Sequence, residues 1–187
     1  MLIAHDHKFV FLGVPRTAST SMHAALHRLS ENFEYFGKHG MVIPPEYRSY
    51  FTFATVRNPY AREVSHYLYR HTTPGNALNK WAKNWTFAQY VEWNLDPKAH
   101  PRDFRDKPQS VHLDGTRMDC IMRFENQPQA FYDLPFVPEG FKMPVKLKRL
   151  GGKPWHHYYT AELAARVYAW AQGDFKQYGY SRDSWKK

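Results

Sequence analysis

The chain has 187 residues and a formal net charge of +9, with 43% hydrophobic and 23% charged residues. These proportions are typical of a globular protein and exclude an intrinsically disordered one, while the single cysteine, Cys120, excludes an internal disulfide and a cysteine-based zinc site. The positive charge favours an anionic partner, but the basic residues are scattered, so we expect no nucleic-acid partner.

The start of the chain predicts neither a targeting segment nor a membrane anchor. Polar residues at 5–8 interrupt it before an apolar stretch of signal-peptide length. No window approaches the 18 apolar residues of a membrane span. We therefore expect a soluble, cytoplasmic protein without a membrane partner, folded as a single domain over residues 1–187.

The first elements along the chain form a strand–turn–helix unit. Residues 9–14 are apolar, as in a buried parallel strand, and the polar turn 15–20 follows at once. The next apolar residues recur at helical spacing; they are Met22, Ala25, Leu26 and Leu29. This order of elements is the opening of an α/β domain.

The same alternation continues to the end of the chain. Residues 50–56 are rich in strand formers, and Pro59 suits the first position of a helix. A capping box at Thr86 predicts a third helix, 118–124 a further strand, and Thr160 the start of the last helix. The sequence therefore predicts an α/β fold with a central, mostly parallel sheet flanked by helices.

The turn 15–21, with the sequence PRTASTS, has the chemistry of an anion-binding loop. A strand that ends in small polar residues and opens a helix directs backbone N–H groups at one point, where the helix dipole also favours negative charge. Arg16 adds a permanent cation with a fork of donors. The turn lacks the glycines and the lysine of the Walker motif, which disfavours an ATP or GTP hydrolase. Because Ser and Thr also cap helices, a purely structural role stays open.

A second basic segment follows the strand at 50–56. Arg57 and Ser65 can both point at a second phosphate, with Arg62 on the same helix. The pair of motifs, PRTASTS at 15–21 and RNPYAREVS at 57–65, resembles the two donor-binding motifs of the sulfotransferase superfamily. In that family the first motif holds the 5′-phosphosulfate of the donor and the second holds its 3′-phosphate.

The resemblance continues downstream and is closest to the carbohydrate sulfotransferase-like branch that includes small bacterial members. It includes the pair Lys38-His39, the segment RFEN at 123–126, and residues 158–160 and 174–180. It implies a P-loop-like fold that binds 3′-phosphoadenosine-5′-phosphosulfate as co-substrate. It also implies a hydroxyl acceptor, on a glycan or a small molecule. The sequence does not predict the oligomeric state.

The resemblance also assigns the binding residues. Those for the 5′-phosphosulfate are Arg16, Thr17, Ala18, Ser19, Thr20 and Ser21, and those for the 3′-phosphate are Arg57 and Ser65. Arg16 is also a catalytic candidate, because it would support the leaving phosphate. Two residues depart from the family pattern, since Arg16 replaces a lysine and Ser19 a glycine. Arginine does not release a proton, so a general-acid lysine would have to come from elsewhere in the chain, and Lys8 and Lys38 are candidates. The Cβ of Ser19 is expected either to strain the turn or to narrow the approach of the anion.

His39 is the candidate general base for the acceptor, because the pKa of histidine is ordinarily close to neutral. We expect it near the carboxyl ends of the strands, where α/β domains bind ligands. The alternative is a surface histidine in a glycine-flanked loop. No metal is expected, because sulfuryl transfer should resemble phosphoryl transfer with arginines supplying the positive charge. The histidine pairs at 5–7 and 156–157 have no completing ligand set.

Several features have two interpretations each. Glu125 either braces the sheet as a core-facing acid or acts in the active site. The basic cluster 146–153 is either a solvated loop or a lid. Three tryptophans could stack on an acceptor, although their helical spacing favours the core; they are Trp81, Trp85 and Trp93. The polar stretches 72–84 and 95–108 read as loops or lids.

Two other functions stay open beside sulfuryl transfer. One is a non-catalytic, basic module that binds nucleotides or nucleic acid, which would need a continuous basic face. The other is a small-molecule kinase of the P-loop type, against which the missing Walker lysine speaks.

Overall fold

The structure is a computed structural model that describes residues 1–37, 39, 42–73, 84–96, 106–144 and 153–186. The chain divides into two compact units. The first comprises Met1–Arg57 and His112–Leu150, and the second Asn58–Val111 and Gly151–Lys187. The single domain over residues 1–187 stays a prediction.

The strands are β1 (Leu2–Ala4), β2 (Phe9–Leu12), β3 (Phe33–Tyr35), β4 (Phe51–Val56) and β5 (Cys120–Arg123). The helices are α1 (Ser19–Leu29), α2 (Pro59–Thr72), α3 (Phe87–Leu95), α4 (Gln109–His112), α5 (Gln129–Tyr132), α6 (Ala161–Trp170) and α7 (Gln172–Gln177). Short 3₁₀ helices span Pro45–Tyr47, Phe124–Asn126, Trp155–Tyr158 and Ser184–Lys186. None of the described helices is both long enough and apolar enough to cross a membrane.

The first unit contains a five-stranded sheet in the order β3-β1-β2-β4-β5. The strands β2, β4 and β5 run parallel, whereas β1 pairs antiparallel with both β2 and β3. The predicted α/β class and the parallel strands are confirmed. The strands β1 and β3, and with them the two antiparallel pairings, were not predicted, because three residues are too few to show an alternating pattern.

Aromatic residues of the sheet form the core of the first unit. Phe9 and Phe53 are fully buried, with ring centres 5.5 Å apart, and Phe136 stacks on Phe9 at 4.3 Å. Helix α1 contributes Met22 and Leu26 to the same cluster. The apolar stripe predicted for α1 therefore faces the sheet, as an amphipathic helix requires.

The second unit is helical in its described part, and side-chain caps fix where its helices begin. The Asn58 side chain accepts hydrogen bonds from the first backbone N–H groups of α2, with Pro59 next to it. Thr86 forms the predicted capping box with Gln89. Thr160 caps α6 by accepting from Leu163 N. These three helix starts were predicted from the sequence and are confirmed.

The core of the second unit is also aromatic. Tyr60 of α2, Tyr90 of α3 and Phe175 of α7 belong to one buried cluster. Trp85 and Trp93 pack against it, 5.6 Å apart, which confirms the core interpretation of these two residues. Trp81 lies outside the described residues.

Buried charges hold α2 to its neighbours in the second unit. Arg62 is only 1% exposed, and its Nη1 lies 3.8 Å from Glu63 Oε1 and donates to the Lys107 carbonyl at 3.0 Å. Arg70 forms a short, buried ion pair with Asp106. Arg62 was predicted to accompany the phosphate-binding residues, and instead it has a structural role. A buried arginine needs such partners.

Glu63 makes the stability of the protein depend on pH. Burial raises the pKa of this carboxyl from its ordinary 4.5 to about 7, against the opposing effect of Arg62. The folded state therefore retains the proton over a range where the unfolded chain releases it, and stability falls as pH rises from about 4.5 to about 7.

We expect Glu63→Gln to stabilise the protein at pH 8 by a few kcal/mol and to change little at pH 4.5. The glutamine carbonyl can still accept from Asn94 Nδ2, which lies 3.0 Å from Glu63 Oε2. Urea unfolding across this pH range measures the difference. Glu92→Gln on the exposed face of α3 is the matched control. A constant difference between wild type and Glu63→Gln at every pH would contradict the assignment.

Candidate functional site

The three parallel strands end at one edge of the sheet, and a candidate site residue follows each of them. The loop 13–18 follows β2, Arg57 follows β4 and Phe124 follows β5. The register pairs Val56 with Arg123, so Arg57 and Phe124 are the next residues along neighbouring strands. This is the edge at which parallel α/β sheets bind ligands.

Two left-handed residues shape the loop after β2. Arg16 has φ 68° and Ala18 has φ 66°. The buried Thr17 donates its hydroxyl hydrogen to the Val14 carbonyl at 2.9 Å. The Thr17 side chain thus closes the turn. Its predicted hydrogen bond to an oxygen of the 5′-phosphosulfate stays a prediction.

Helix α1 begins directly behind this turn. Its N-cap residue is Ala18, which has no side-chain cap, while Ser19, Thr20 and Ser21 lie in the first turn of the helix. The N-cap position is thus filled by alanine, and a purely structural role of the three hydroxyl residues stays open. A helix start without a side-chain cap, next to Arg16, is suited to an anion.

Strain in the loop lies at a different residue from the one predicted. Ser19 is helical, so its Cβ meets no conformational conflict, whereas Ala18 has a conformation that normally favours glycine. The prediction of strain at Ser19 is wrong, because the chain turns one residue earlier.

We expect Ala18→Gly to raise the free energy of unfolding by about 0.5–1 kcal/mol, since relief of the left-handed strain outweighs the added freedom of the unfolded chain. Chemical denaturation measures this value. Ala24→Gly, inside α1, is the matched control and should lower stability by about 1 kcal/mol. Equal losses in both variants would show that Ala18 is unstrained.

Arg57, the first residue of the second predicted motif, contacts the loop of the first motif. Its Nη1 donates to the Arg16 carbonyl at 3.4 Å. The guanidinium carbon lies 4.3 Å from the ring centre of Phe124, so the ring supports the cation from one face. The Arg57 guanidinium is therefore held against the backbone of the loop at Arg16.

The His39 side chain contacts Gly13, the first residue of the same loop. Its Nδ1 is 2.6 Å from the Gly13 carbonyl oxygen, and the side chain is half-buried. Because a carbonyl only accepts hydrogen bonds, Nδ1 must carry the hydrogen, which leaves the lone pair of the neutral ring on Nε2. The structure thus places His39 beside the loop, and its role as a base stays a prediction.

Lys8 and Lys38 are the two candidates for a general-acid lysine. Lys8 lies at the end of β2 that is opposite the anion loop. It precedes β2 in the turn from β1, whereas the anion loop follows β2. A strand of four residues is about 13 Å long, so Lys8 cannot protonate a group at the loop. Lys38 lies outside the described residues.

Ser65 and Glu125 are two further residues for which the sequence predicted a role. Ser65 lies on α2 in the second unit, half-buried, and its contact with the 3′-phosphate stays a prediction. Glu125 is exposed in the turn after β5, so the interpretation as a core-facing acid is wrong.

Lys153 and His5, which belong to the basic cluster and to the first histidine pair, have aromatic or acidic partners within their own units. In the cluster 146–153 only Lys153 is described, and its ammonium group lies 4.4 Å from the ring centre of Tyr158 in the second unit. His5 pairs with Glu34 at 3.0 Å. Within the described residues, no group of three or more His, Cys, Asp or Glu side chains is arranged to hold a metal ion.

A helix start without a side-chain cap lies beside Arg16 and Arg57 at the carboxyl edge of the parallel strands, an arrangement suited to phosphate or sulfate groups. The chain belongs to the Sulfotransferase family, whose sequence model matches residues 1–129. The match includes both predicted motifs, His39 and Phe124, and it supports sulfuryl transfer as the activity of this chain. No curated protein and no solved structure matched the chain.

Proposed function

We propose that this protein transfers the sulfuryl group of 3′-phosphoadenosine-5′-phosphosulfate to a hydroxyl group, most simply one on a carbohydrate. The contact between Arg57 Nη1 and the Arg16 carbonyl carries the proposal. It brings a second cation to the edge of the 5′-anion loop, and a donor with phosphates at both ends of its ribose requires two cationic positions. Neither ATP nor GTP has a phosphate on the 3′ oxygen of its ribose.

The loop residues would divide the binding of the donor between them. Backbone N–H groups at the start of α1, with the side chains of Arg16, Thr20 and Ser21, would bind the 5′-phosphosulfate. Ser19 is the first residue of α1 and would contribute through its backbone N–H group. Arg57, with Ser65, would bind the 3′-phosphate and thereby distinguish this donor from ATP.

In the proposed reaction, the acceptor oxygen forms a bond to sulfur while the bond from sulfur to the 5′-phosphate oxygen breaks. His39 Nε2 takes the proton of the acceptor hydroxyl. The hydrogen bond from Nδ1 to Gly13 holds the ring in the tautomer that can accept this proton, and it stabilises the imidazolium that results. Arg16 stabilises the negative charge that develops on the leaving phosphate. The products are the sulfated acceptor and adenosine 3′,5′-bisphosphate.

A carbohydrate acceptor rests on the family resemblance and on the net charge of +9, which suits an acidic glycan. Transfer of ³⁵S from labelled donor to a panel of acidic glycans, neutral glycans and phenols tests this acceptor class. We expect label on glycans. Label on phenols alone would contradict the carbohydrate assignment and leave the donor assignment intact.

A thermal-shift screen separates the proposed donor from the two alternative functions. We expect adenosine 3′,5′-bisphosphate to raise the melting temperature more than ATP or GTP at equal concentration, because a ligand at 100 times its Kd adds about 2.7 kcal/mol. A preference for ATP would indicate a kinase. A shift seen only with nucleic acid and lost in salt would indicate the non-catalytic module. Either result would contradict the proposed function.

A further inference from the structure

Phe124 lies directly beside Arg57 because of the strand register. Val56 of β4 pairs with Arg123 of β5, and both strands end there, at the same edge of the sheet. The Phe124 ring is half-buried, and its centre is 4.3 Å from the guanidinium carbon of Arg57. At this distance the negative face of the ring attracts the cation.

The turn that carries Phe124 is itself fixed to the sheet and to α1. Gln127 N donates to the Phe124 carbonyl at 3.2 Å. The Gln127 side-chain amide lies 3.5 Å from Thr55 Oγ1 on β4 and 3.6 Å from Met22 Sδ on α1. Thr55 is two residues before Arg57, so the ring and the cation are held by the same strand.

We propose that Phe124 is a positioning residue for recognition of the 3′-phosphate, an inference that rests on the proposed function. A free arginine side chain loses much rotational freedom when it binds a phosphate. The ring on one face and the Arg16 carbonyl at Nη1 fix the plane of the Arg57 guanidinium before the donor arrives. Preorganisation of this kind increases affinity by lowering the entropic cost of binding.

Removal of the ring should weaken the affinity for the 3′-phosphate and leave the 5′ end unaffected. The test compares the Kd of adenosine 3′,5′-bisphosphate with that of adenosine 5′-monophosphate in wild type, Phe124→Leu and Phe124→Tyr, measured by calorimetry. We expect Phe124→Leu to reduce the ratio of the two affinities by about fivefold, the size of a partly exposed cation–π contact. Phe124→Tyr retains the ring and should retain the ratio.

The control is Ile121→Ala, an exposed position on β5, the strand that precedes Phe124, and it should not change the ratio. An unchanged ratio in Phe124→Leu, or equal losses for both ligands, would overturn the positioning role. If wild type itself does not prefer the bisphosphate, the proposed function fails, and this inference fails with it.

A second measurement avoids any loss of folding in the leucine variant. Fluorinated phenylalanines at position 124 nearly keep the size of the ring, and each added fluorine makes the electrostatic potential of its face less negative. We expect the affinity for the bisphosphate to fall with each added fluorine, while the affinity for the monophosphate stays constant. An affinity for the bisphosphate that does not depend on fluorination would overturn the proposal.

Discussion

Arg57→Ala is expected to weaken the binding of adenosine 3′,5′-bisphosphate about 100-fold, because the substitution removes charge-assisted hydrogen bonds to a phosphate. The expectation follows from the position of Arg57, whose guanidinium lies between the Arg16 carbonyl and the Phe124 ring at the edge of the sheet. Calorimetric titration measures the effect directly. The affinity for adenosine 5′-monophosphate should change far less, because that ligand lacks the 3′-phosphate.

The control for this variant is Arg117→Ala. Arg117 belongs to the same unit, its side chain is 81% exposed, and it pairs with Asp119 on the surface. Its removal lowers the net charge by the same amount, so it separates a local contact from a general effect of charge. Equal losses in the two variants would show that Arg57 contributes only to the overall positive field of the protein.

His39→Ala is expected to lower kcat by about 10²- to 10⁴-fold with an unchanged Kd for the donor product, because a general base acts on the acceptor in the transition state. The hydrogen bond from Nδ1 to the Gly13 carbonyl supports this role, since it directs the lone pair of the ring to Nε2. Single-turnover transfer of ³⁵S from labelled donor, with a saturating acceptor, measures the chemical step.

His7→Ala is the control for the histidine variant. His7 is exposed in the turn between β1 and β2, and its Nε2 contacts the Leu29 carbonyl at 3.1 Å. This turn is at the end of β2 opposite the anion loop, so the variant should transfer sulfuryl groups at the wild-type rate. Wild-type turnover in His39→Ala with normal donor binding would assign the base to another residue.

The parallel half of the sheet and the helix starts were predictable because their signals are local. An apolar run before PRTASTS predicts β2, and strand formers before RNPY predict β4. Thr86 with Gln89, and Thr160, have the chemistry of helix caps. The sequence motifs also indicated the anion loop and Arg57, because charge and small polar side chains at strand ends are visible without coordinates.

Other features depend on contacts between distant segments and left no local signal. The antiparallel pairing of β1 with β3 joins two three-residue strands. Burial of Arg62 depends on Lys107 and Glu63, and its helix position alone suggested a phosphate ligand. The proximity of Phe124 to Arg57 follows from the register of β4 and β5, which a resemblance of short motifs does not provide.

Calorimetric titration of the wild-type protein with adenosine 3′,5′-bisphosphate and with adenosine 5′-monophosphate tests the central claim most directly. The two ligands differ only in the phosphate that Arg57 is proposed to bind. We predict one-to-one binding of the bisphosphate, at least about tenfold tighter than that of the monophosphate. Equal affinity for the two ligands would contradict the account, because the site would then have no means of recognising the sulfuryl donor.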